Sequence, residues 1–266
     1  MPKSGDLGAV EAVLETDRVW SAFALADLAP EHRKHCEWYL DGDGTALVLV
    51  YRGFRPPLFF ALGKEAALKP LIGEIAGEPE FYASVRGGVL DCLGEAGYGI
   101  HEEKTLYRMV HSGDTASVTA DGRVERLGPS DHEQLVKLYE DGKETGETPP
   151  FFQQSMLENG VYYGVREEGK LTAAAGTLVL ATEQSAACLG NVYTRRDRRG
   201  LGLGRIVTAA VTAELLQRRI RTIALNVRVD NRPAVQIYDR LGFTRYCEYR
   251  EARLDYREAH PLKDAV

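Results

Sequence analysis

Between Asn191 and Arg205 the chain reads Asn-Val-Tyr-Thr, Arg-Arg-Asp-Arg-Arg, then Gly-Leu-Gly-Leu-Gly-Arg. Such a stretch passes from a strand through a basic turn into a helix start, and the helix is expected from Leu203 to about Arg218. Gly200, Gly202 and Gly204 alternate with Leu201 and Leu203. Glycines let a backbone come close to a ligand and leave N–H groups uncovered. A helix start offers free N–H groups and the positive end of a dipole, which together suit an anion. Arg195, Arg196, Arg198 and Arg199 add positive charge beside it. The stretch is read first as a pyrophosphate cradle. A glycine-rich turn flanked by a solvated charge run is the plainer reading.

Spacing removes two nucleotide readings. A nucleotide-hydrolase phosphate loop ends in Gly-Lys-Ser or Gly-Lys-Thr, whereas Arg205-Ile206-Val207 stands here. A dinucleotide fingerprint spaces its glycines by one and then two residues, with an acid about twenty residues on. Here both gaps are single, and the later region reads Arg218-Arg219-Ile220-Arg221.

The residues downstream add a second motif. Thr222–Val229 is an apolar, β-branched strand candidate. Asp230-Asn231-Arg232-Pro233 is a turn and helix-cap signature, and Ala234–Leu241 a short helix closed by Gly242 before the strand opening at Phe243-Thr244. This run resembles the GNAT superfamily of acetyl-coenzyme-A-dependent N-acetyltransferases. Arg199, Gly202 and Gly204 meet that family's cradle motif, and Asn231, Ala234, Tyr238, Gly242 and Phe243 meet its later signature. The resemblance covers Arg123 to the C-terminus.

That resemblance implies an α+β fold with a mixed central sheet flanked by helices. Arg123–Leu127 is the expected first strand. A capping-box helix is expected over Ser130–Asp141, from Ser130 and Glu133, and a second helix over Phe151–Asn159. Strands follow at Val161–Arg166, Leu171–Ala181 and Ser185–Thr194.

The first part alternates in its own way. Helical spacing runs over Val10–Leu28 and, after Pro30, over Glu31–Leu40. Thr45–Tyr51 and Leu58–Leu62 read as a hairpin, Lys64–Ile75 and Gly88–Glu95 as helices, and Phe81–Val85 and Thr105–His111 as strands. This order loosely echoes the second part. The region is either a degenerate copy of the same fold in tandem or a separate, smaller α/β domain, with a structural or acceptor-shaping role. It lacks the cradle, since Leu62-Gly63-Lys64-Glu65 holds one glycine beside an acid. The polar run 111–122 marks the linker. The expected domains are 1–111 and 123–266, with 112–122 between them.

Charge is unevenly spread over these parts. Residues 1–120 carry 11 Lys+Arg against 18 Asp+Glu, and the remainder 22 against 21. The net charge of −6 argues against a general nucleic-acid binder. No apolar run approaches a membrane span. The N-terminus lacks a signal-peptide core, and the four cysteines form no Cys-x-x-Cys pair. A cytoplasmic protein, monomeric or homodimeric, is expected. His32-x-x-His35-Cys36 has metal-like spacing but no second ligand pair, so no metal is expected.

Acetyl transfer requires that the donor be held, the amine lose a proton, and the departing thiolate be protonated or stabilised. The N–H groups of Gly200, Leu201, Gly202, Leu203, Gly204 and Arg205 are the expected pyrophosphate donors. Val192, Tyr193 and Thr194 are expected to align the pantetheine arm. By resemblance, one of their N–H groups polarises the thioester carbonyl, Tyr238 protonates the leaving thiolate, and Asn231 hydrogen-bonds the cofactor. Asn231 also reads as a simple helix cap, and Tyr238 as a tyrosine packed on the sheet. No acid lies within Ala186–Thr194, so the base is open among Glu183, Glu248, Glu251, a water chain or a backbone carbonyl. Phe151, Phe152, Tyr162 and Tyr163 read either as an aromatic entrance or as core. The expected function is transfer of an acetyl group from acetyl-CoA to a primary amine on a small molecule or peptide. The alternative is a non-catalytic CoA-binding sensor.

Overall fold

A computed structural model describes residues 3–118, 121–149 and 151–257. Residues 119–120 of the expected linker, Pro150, and residues 258–266 of the expected second domain, with His260, lie outside the described residues. The chain divides into two compact units, Met1–Tyr107 with Cys247–Val266, and Arg108–Tyr246.

The first unit opens with Leu7–Glu15 (α1), which is capped by the Asp6 carboxylate accepting the Ala9 N–H at 3.0 Å. Residues 16–21 turn before Ala22–Ala26 (α2), so the helix expected over Val10–Leu28 is broken. After the short helix Pro30–Arg33 (α3), Cys36–Leu40 (β1) is a strand, contrary to the helix expected over Glu31–Leu40. Trp38, Tyr39 and Leu40 find partners in Leu47–Tyr51 (β2), with Trp38↔Leu49 and Leu40↔Leu47. Aromatic cross-strand pairing overrides local helical spacing there. Leu58–Leu62 (β3), Glu65–Ile75 (α4), Glu80–Val85 (β4), Val89–Glu95 (α5) and Tyr98–His111 (β5) follow, with β5 passing into the second unit at Arg108.

In the second unit the order is Val124–Arg126 (β6), His132–Glu140 (α6), Gln154–Asn159 (α7), Tyr162–Glu167 (β7), Lys170–Ala181 (β8), Ala186–Thr194 (β9), Leu203–Gln217 (α8), Thr222–Arg228 (β10), Arg232–Arg240 (α9) and Phe243–Tyr256 (β11). The helix expected from Ser130 starts later. Ser130 sits in a single tight turn, Pro129–Asp131, whose Asp131 carboxylate accepts the Gly128 N–H at 2.8 Å. Leu127, Leu135, Leu138, Tyr139, Leu157 and Tyr162 form a core between α6, α7 and the sheet.

Each unit builds a mixed sheet by the same rule. β1, β2 and β3 pair antiparallel, α4 crosses over, and β4 pairs parallel with β3. Likewise β7, β8 and β9 pair antiparallel, α8 crosses over, and β10 pairs parallel with β9. A helix and a long strand, α5–β5 or α9–β11, complete each order. The first unit therefore repeats the element order of the second, including the right place for a crossover helix. The last strand is shared out differently from the expected 123–266 boundary. Its residues Arg250–Asp255 pair with Val85–Glu80 of β4, which groups 247–256 with the first unit.

Candidate functional site

The cradle lies at the start of α8. Gly202 is the N-cap residue in the left-handed region, φ +76°, and no side chain caps the helix. Gly200 is also left-handed, φ +82°, and a Cβ added to either glycine would meet open space. Ser, Thr, Asp or Asn at such a position would turn its own oxygen onto the first N–H groups; glycine leaves them uncovered. Among the described residues, the N–H groups of Gly200, Leu201, Gly202, Leu203 and Gly204 find no protein acceptor, whereas that of Arg205 donates to the Gly202 carbonyl at 3.1 Å. The N–H set thus ends at Gly204, one residue short of the expected range. Leu201 is solvent-exposed between these glycines.

The arginine run differs from its sequence reading. Arg195 pairs with Asp197 (2.6 Å), Arg198 with Glu167 (2.6 Å), Arg196 with Asp141 (3.5 Å) and Arg199 with Glu147 (2.9 Å). Arg199 holds both Glu147 oxygens. These guanidiniums are matched by carboxylates rather than adding uncompensated charge beside the cradle. Arg205, exposed in the first turn of α8, makes no ion pair among the described residues.

Upstream, β9 is bulged. Its register with β8 passes from Gly176↔Gly190 to Ala174↔Tyr193, two residues on one strand against three on the other. Asn191, within this step, takes a left-handed φ of +50° although it is buried. Its register with β10 runs from Thr222↔Ala186 to Leu225↔Leu189 and ends there. Val192, Tyr193 and Thr194 lie beyond that end. The Tyr193 hydroxyl donates to Asp141 at 2.9 Å.

Downstream, Asn231 caps α9, its side chain accepting the Ala234 N–H at 3.3 Å. Tyr238, two turns on, is buried and rests edge-on against Phe243 at 6.1 Å. Burial pushes its phenol up to about 12, and its hydroxyl makes no hydrogen bond among the described residues. The three segments meet at Gly204, where an added Cβ would stand 3.3 Å from Thr194 Oγ1 and 3.8 Å from Ile237 Cδ1. The end of β9, the first turn of α8 and the helix bearing Tyr238 therefore form one place.

The sequence reading did not single out Tyr139, Asp141 or Glu147. The Tyr139 hydroxyl donates to the Asn191 carbonyl at 3.0 Å, and the Asn191 amide nitrogen donates to the Tyr162 hydroxyl at 2.9 Å. Asp141 also accepts the Arg196 N–H at 2.9 Å. Burial would raise Asp141, but the Arg196 N–H and the Tyr193 hydroxyl hold it below the usual carboxylate range. The signal available for Asp141 and Glu147 was the arginine run itself, which needs nearby carboxylates.

Other expectations separate. Tyr162 is fully buried core, and Phe152 is half-buried against that core, on His132 at 5.4 Å and Tyr139 at 5.2 Å. Tyr163, next along the strand from Tyr162, lies under Arg126 at 5.6 Å instead. Glu183 sits in the turn before Ala186, at the opposite end of β9 from the cradle. Glu251 belongs to the first unit and accepts hydroxyls from Tyr82 (2.7 Å) and Tyr249 (3.0 Å); Glu248 is also in that unit. His32 meets the Tyr51 hydroxyl at 3.5 Å, and Cys36 opens β1 rather than extending a helix face. Among the described residues no group of three His, Cys, Asp or Glu is placed to hold a metal ion, and no helix is long and apolar enough to cross a membrane.

Known proteins resemble this chain over the segment that carries this geometry. Residues 162–252 match the family described as FR47-like protein. The chain is 33% identical over 92 residues to the [Ribosomal protein bS18]-alanine N-acetyltransferase of Escherichia coli strain K12, covering 35% of this chain and 60% of that protein. It is 32% identical over 90 residues to the mycothiol acetyltransferase of Paenarthrobacter aurescens, covering 33% of this chain and 28% of that one. The chain thus spans less than two thirds of the length of these curated relatives. A solved tandem GNAT protein from the clavulanic acid biosynthesis pathway superposes with a TM-score of 0.57 at 14% identity, over 86% of this chain and 84% of its own. That likeness carries the fold, and it accords with two units of one element order. The segment 162–252 is thus similar to the FR47-like family, and the chain as a whole is similar in fold to a tandem GNAT protein.

Proposed function

We propose that the chain transfers an acetyl group from acetyl-CoA to a primary amine, and that the second unit holds the donor. The observation that carries this reading is the convergence at Gly204 of an uncapped helix start, the free end of β9 and the helix bearing Tyr238. The five unclaimed N–H groups of residues 200–204 suit a pyrophosphate. Arg205 supplies an exposed cation beside them, and Asn231 keeps its amide N–H₂ for the cofactor while its oxygen caps α9. Val192, Tyr193 and Thr194 lie past the end of the β9–β10 pairing, where an extended pantetheine arm can align. Arg199 in this reading organises the loop through Glu147 instead of touching phosphate.

The reaction then follows from the groups present. The amine nitrogen, having given up a proton, attacks the thioester carbonyl carbon; the C–S bond breaks and an N–acetyl bond forms. The thiolate takes the Tyr238 phenolic proton, and the second amine proton leaves to solvent, from which Tyr238 is reprotonated. A phenol held near 12 stays neutral at physiological pH and is a donor at the moment the thiolate appears. Relatives named for acetylating an alanine of a ribosomal protein and for mycothiol acetylation support an amine or peptide acceptor. The test is acetyl-CoA turnover over a panel of amines and peptides with wild type and Tyr238→Phe. We expect the variant to bind CoA normally and to lose on the order of 10²-fold in kcat. Equal turnover by both would remove Tyr238 from the chemistry. CoA binding with no turnover on any acceptor would favour a sensor.

A further inference from the structure

The bulge in β9 is held by side chains that no part of the cradle requires. Asn191 is a buried, non-glycine residue at φ +50°, a backbone state that costs energy and persists only where surroundings fix it. Two hydroxyls fix it. Tyr139, from α6, donates to the Asn191 carbonyl at 3.0 Å, and Tyr162, from β7, accepts the Asn191 amide at 2.9 Å and donates on to Met156 Sδ at 3.6 Å. The Asn191 side-chain oxygen is buried with no hydrogen-bond partner among the described residues. A residue serving only to fill the core would not leave such an atom unmet.

The direction of the next peptide follows. In a trans peptide the C=O of one residue and the N–H of the next point opposite ways. Tyr139 pins the Asn191 carbonyl on the α6 side, so the Val192 N–H is turned away from it. Strand alternation agrees. The Arg195 N–H donates to Thr172 of β8 at 2.8 Å, and Tyr193 stands opposite Ala174. Tyr193 and Arg195 thus face β8, and Val192 faces the other edge. On that edge the β10 pairing has already stopped at Leu225↔Leu189.

We propose that Tyr139 is a positioning residue: through the Asn191 carbonyl, and with Tyr162 clamping the Asn191 amide, it aims the Val192 N–H at the carbonyl oxygen of the bound thioester. This rests on the donor-binding reading above. Burial raises the Tyr139 phenol well above its ordinary value, so its proton stays in place for the Asn191 carbonyl. A hydrogen bond to a thioester oxygen lengthens its C=O bond and lowers its stretching frequency, which can be read without knowing the acceptor.

The experiment is isotope-edited difference infrared spectroscopy of acetyl-CoA labelled at the thioester carbonyl, bound to wild type and to Tyr139→Phe. Calorimetry of CoA binding and thermal unfolding of both proteins accompany it. The expected result is a carbonyl stretch below that of free acetyl-CoA in wild type and most of that shift lost in Tyr139→Phe, with CoA affinity unchanged. With an acceptor in hand, kcat falls on the order of tenfold at constant KM for acetyl-CoA, less than the hundredfold or more that loss of an oxyanion donor costs. Tyr162→Phe, which keeps the ring and removes the amide's oxygen partner while leaving Met156 Sδ at 3.7 Å, loses part of the shift and serves if Tyr139→Phe does not fold. If wild type binds acetyl-CoA with no shift, or the variants keep the full shift and lose only stability, the positioning role is overturned. If wild type binds no CoA, the donor reading falls and takes this role with it.

Discussion

At the scale of single residues, two tyrosines carry opposite burdens. Tyr238 is buried with its hydroxyl unclaimed, and burial alone raises it to about 12. Tyr193 reaches about 12 as well, chiefly through burial and then through Asp141, but its hydroxyl is already spent on that carboxylate. The native state therefore holds the Tyr238 proton more tightly than the unfolded chain, whose phenols ionise near 10. The associated stability is intact below about pH 10 and is lost as pH rises through about 12. Tyr238→Phe removes this dependence. Alkaline unfolding followed by circular dichroism should show wild type losing about 2–3 kcal/mol more than the variant across that window; parallel curves would mean the phenol is not so held. His111 works at the other end, since burial lowers it, so its contribution is present above its ordinary value and lost as pH falls.

At the scale of elements, the site is made of ends: the last residues of β9, the first turn of α8 and the N-cap of α9. The glycine spacing, Asn231 and Tyr238 were legible in the sequence because each is a local backbone demand: a left-handed N-cap, a capping oxygen, a helix position. Tyr139, Asp141 and Glu147 were not, because their work is done across the fold on Asn191, Arg196 and Arg199. Glu183, one of the open candidates for the base, lies at the end of β9 away from the cradle, because chain proximity to β9 says nothing of which end of the strand an acid occupies. The β1 strand was misread because its partner, β2, and not its own spacing, decides its state. Asn231 permits a separation of roles. Asn231→Ala should cost about 1 kcal/mol of stability by loss of the cap. Asn231→Asp keeps the cap, removes the amide donor and adds a negative charge, so stability is retained while CoA affinity falls several-fold by calorimetry. Equal affinity in Asn231→Asp would leave Asn231 a cap alone.

At the scale of the whole molecule, one element order occurs twice, but only one copy keeps the cradle. In the first unit α4 follows Gly63 and Lys64, and its first residue, Glu65, sends a carboxylate to the Gly88 N–H at 2.7 Å at the start of α5. The Trp20 indole donates to the Ala61 carbonyl of β3 at 2.9 Å. The α4 start thus carries an acid in its first turn, which disfavours an anion there, and the Ala61 carbonyl near the end of β3 is taken by Trp20. The repeat was visible in the sequence as an order of helices and strands; the handing of residues 247–256 to the first unit was not, since it is fixed by pairing with β4 across more than 160 residues of chain. The expected stoichiometry is one CoA per chain. Two equivalent sites would show that the first unit binds CoA without the glycine cradle.

If the backbone of residues 200–204 holds the pyrophosphate of CoA, titration calorimetry of wild type and Gly202→Asp will show it. Aspartate tolerates the left-handed conformation better than most residues and has open space at this position, while placing a negative charge where the anion is bound. The expected result is CoA binding to wild type at one per chain, no ATP or NAD binding, and an affinity at least about 10²-fold weaker in Gly202→Asp with its unfolding temperature little changed. CoA binding of equal strength in both proteins would contradict it.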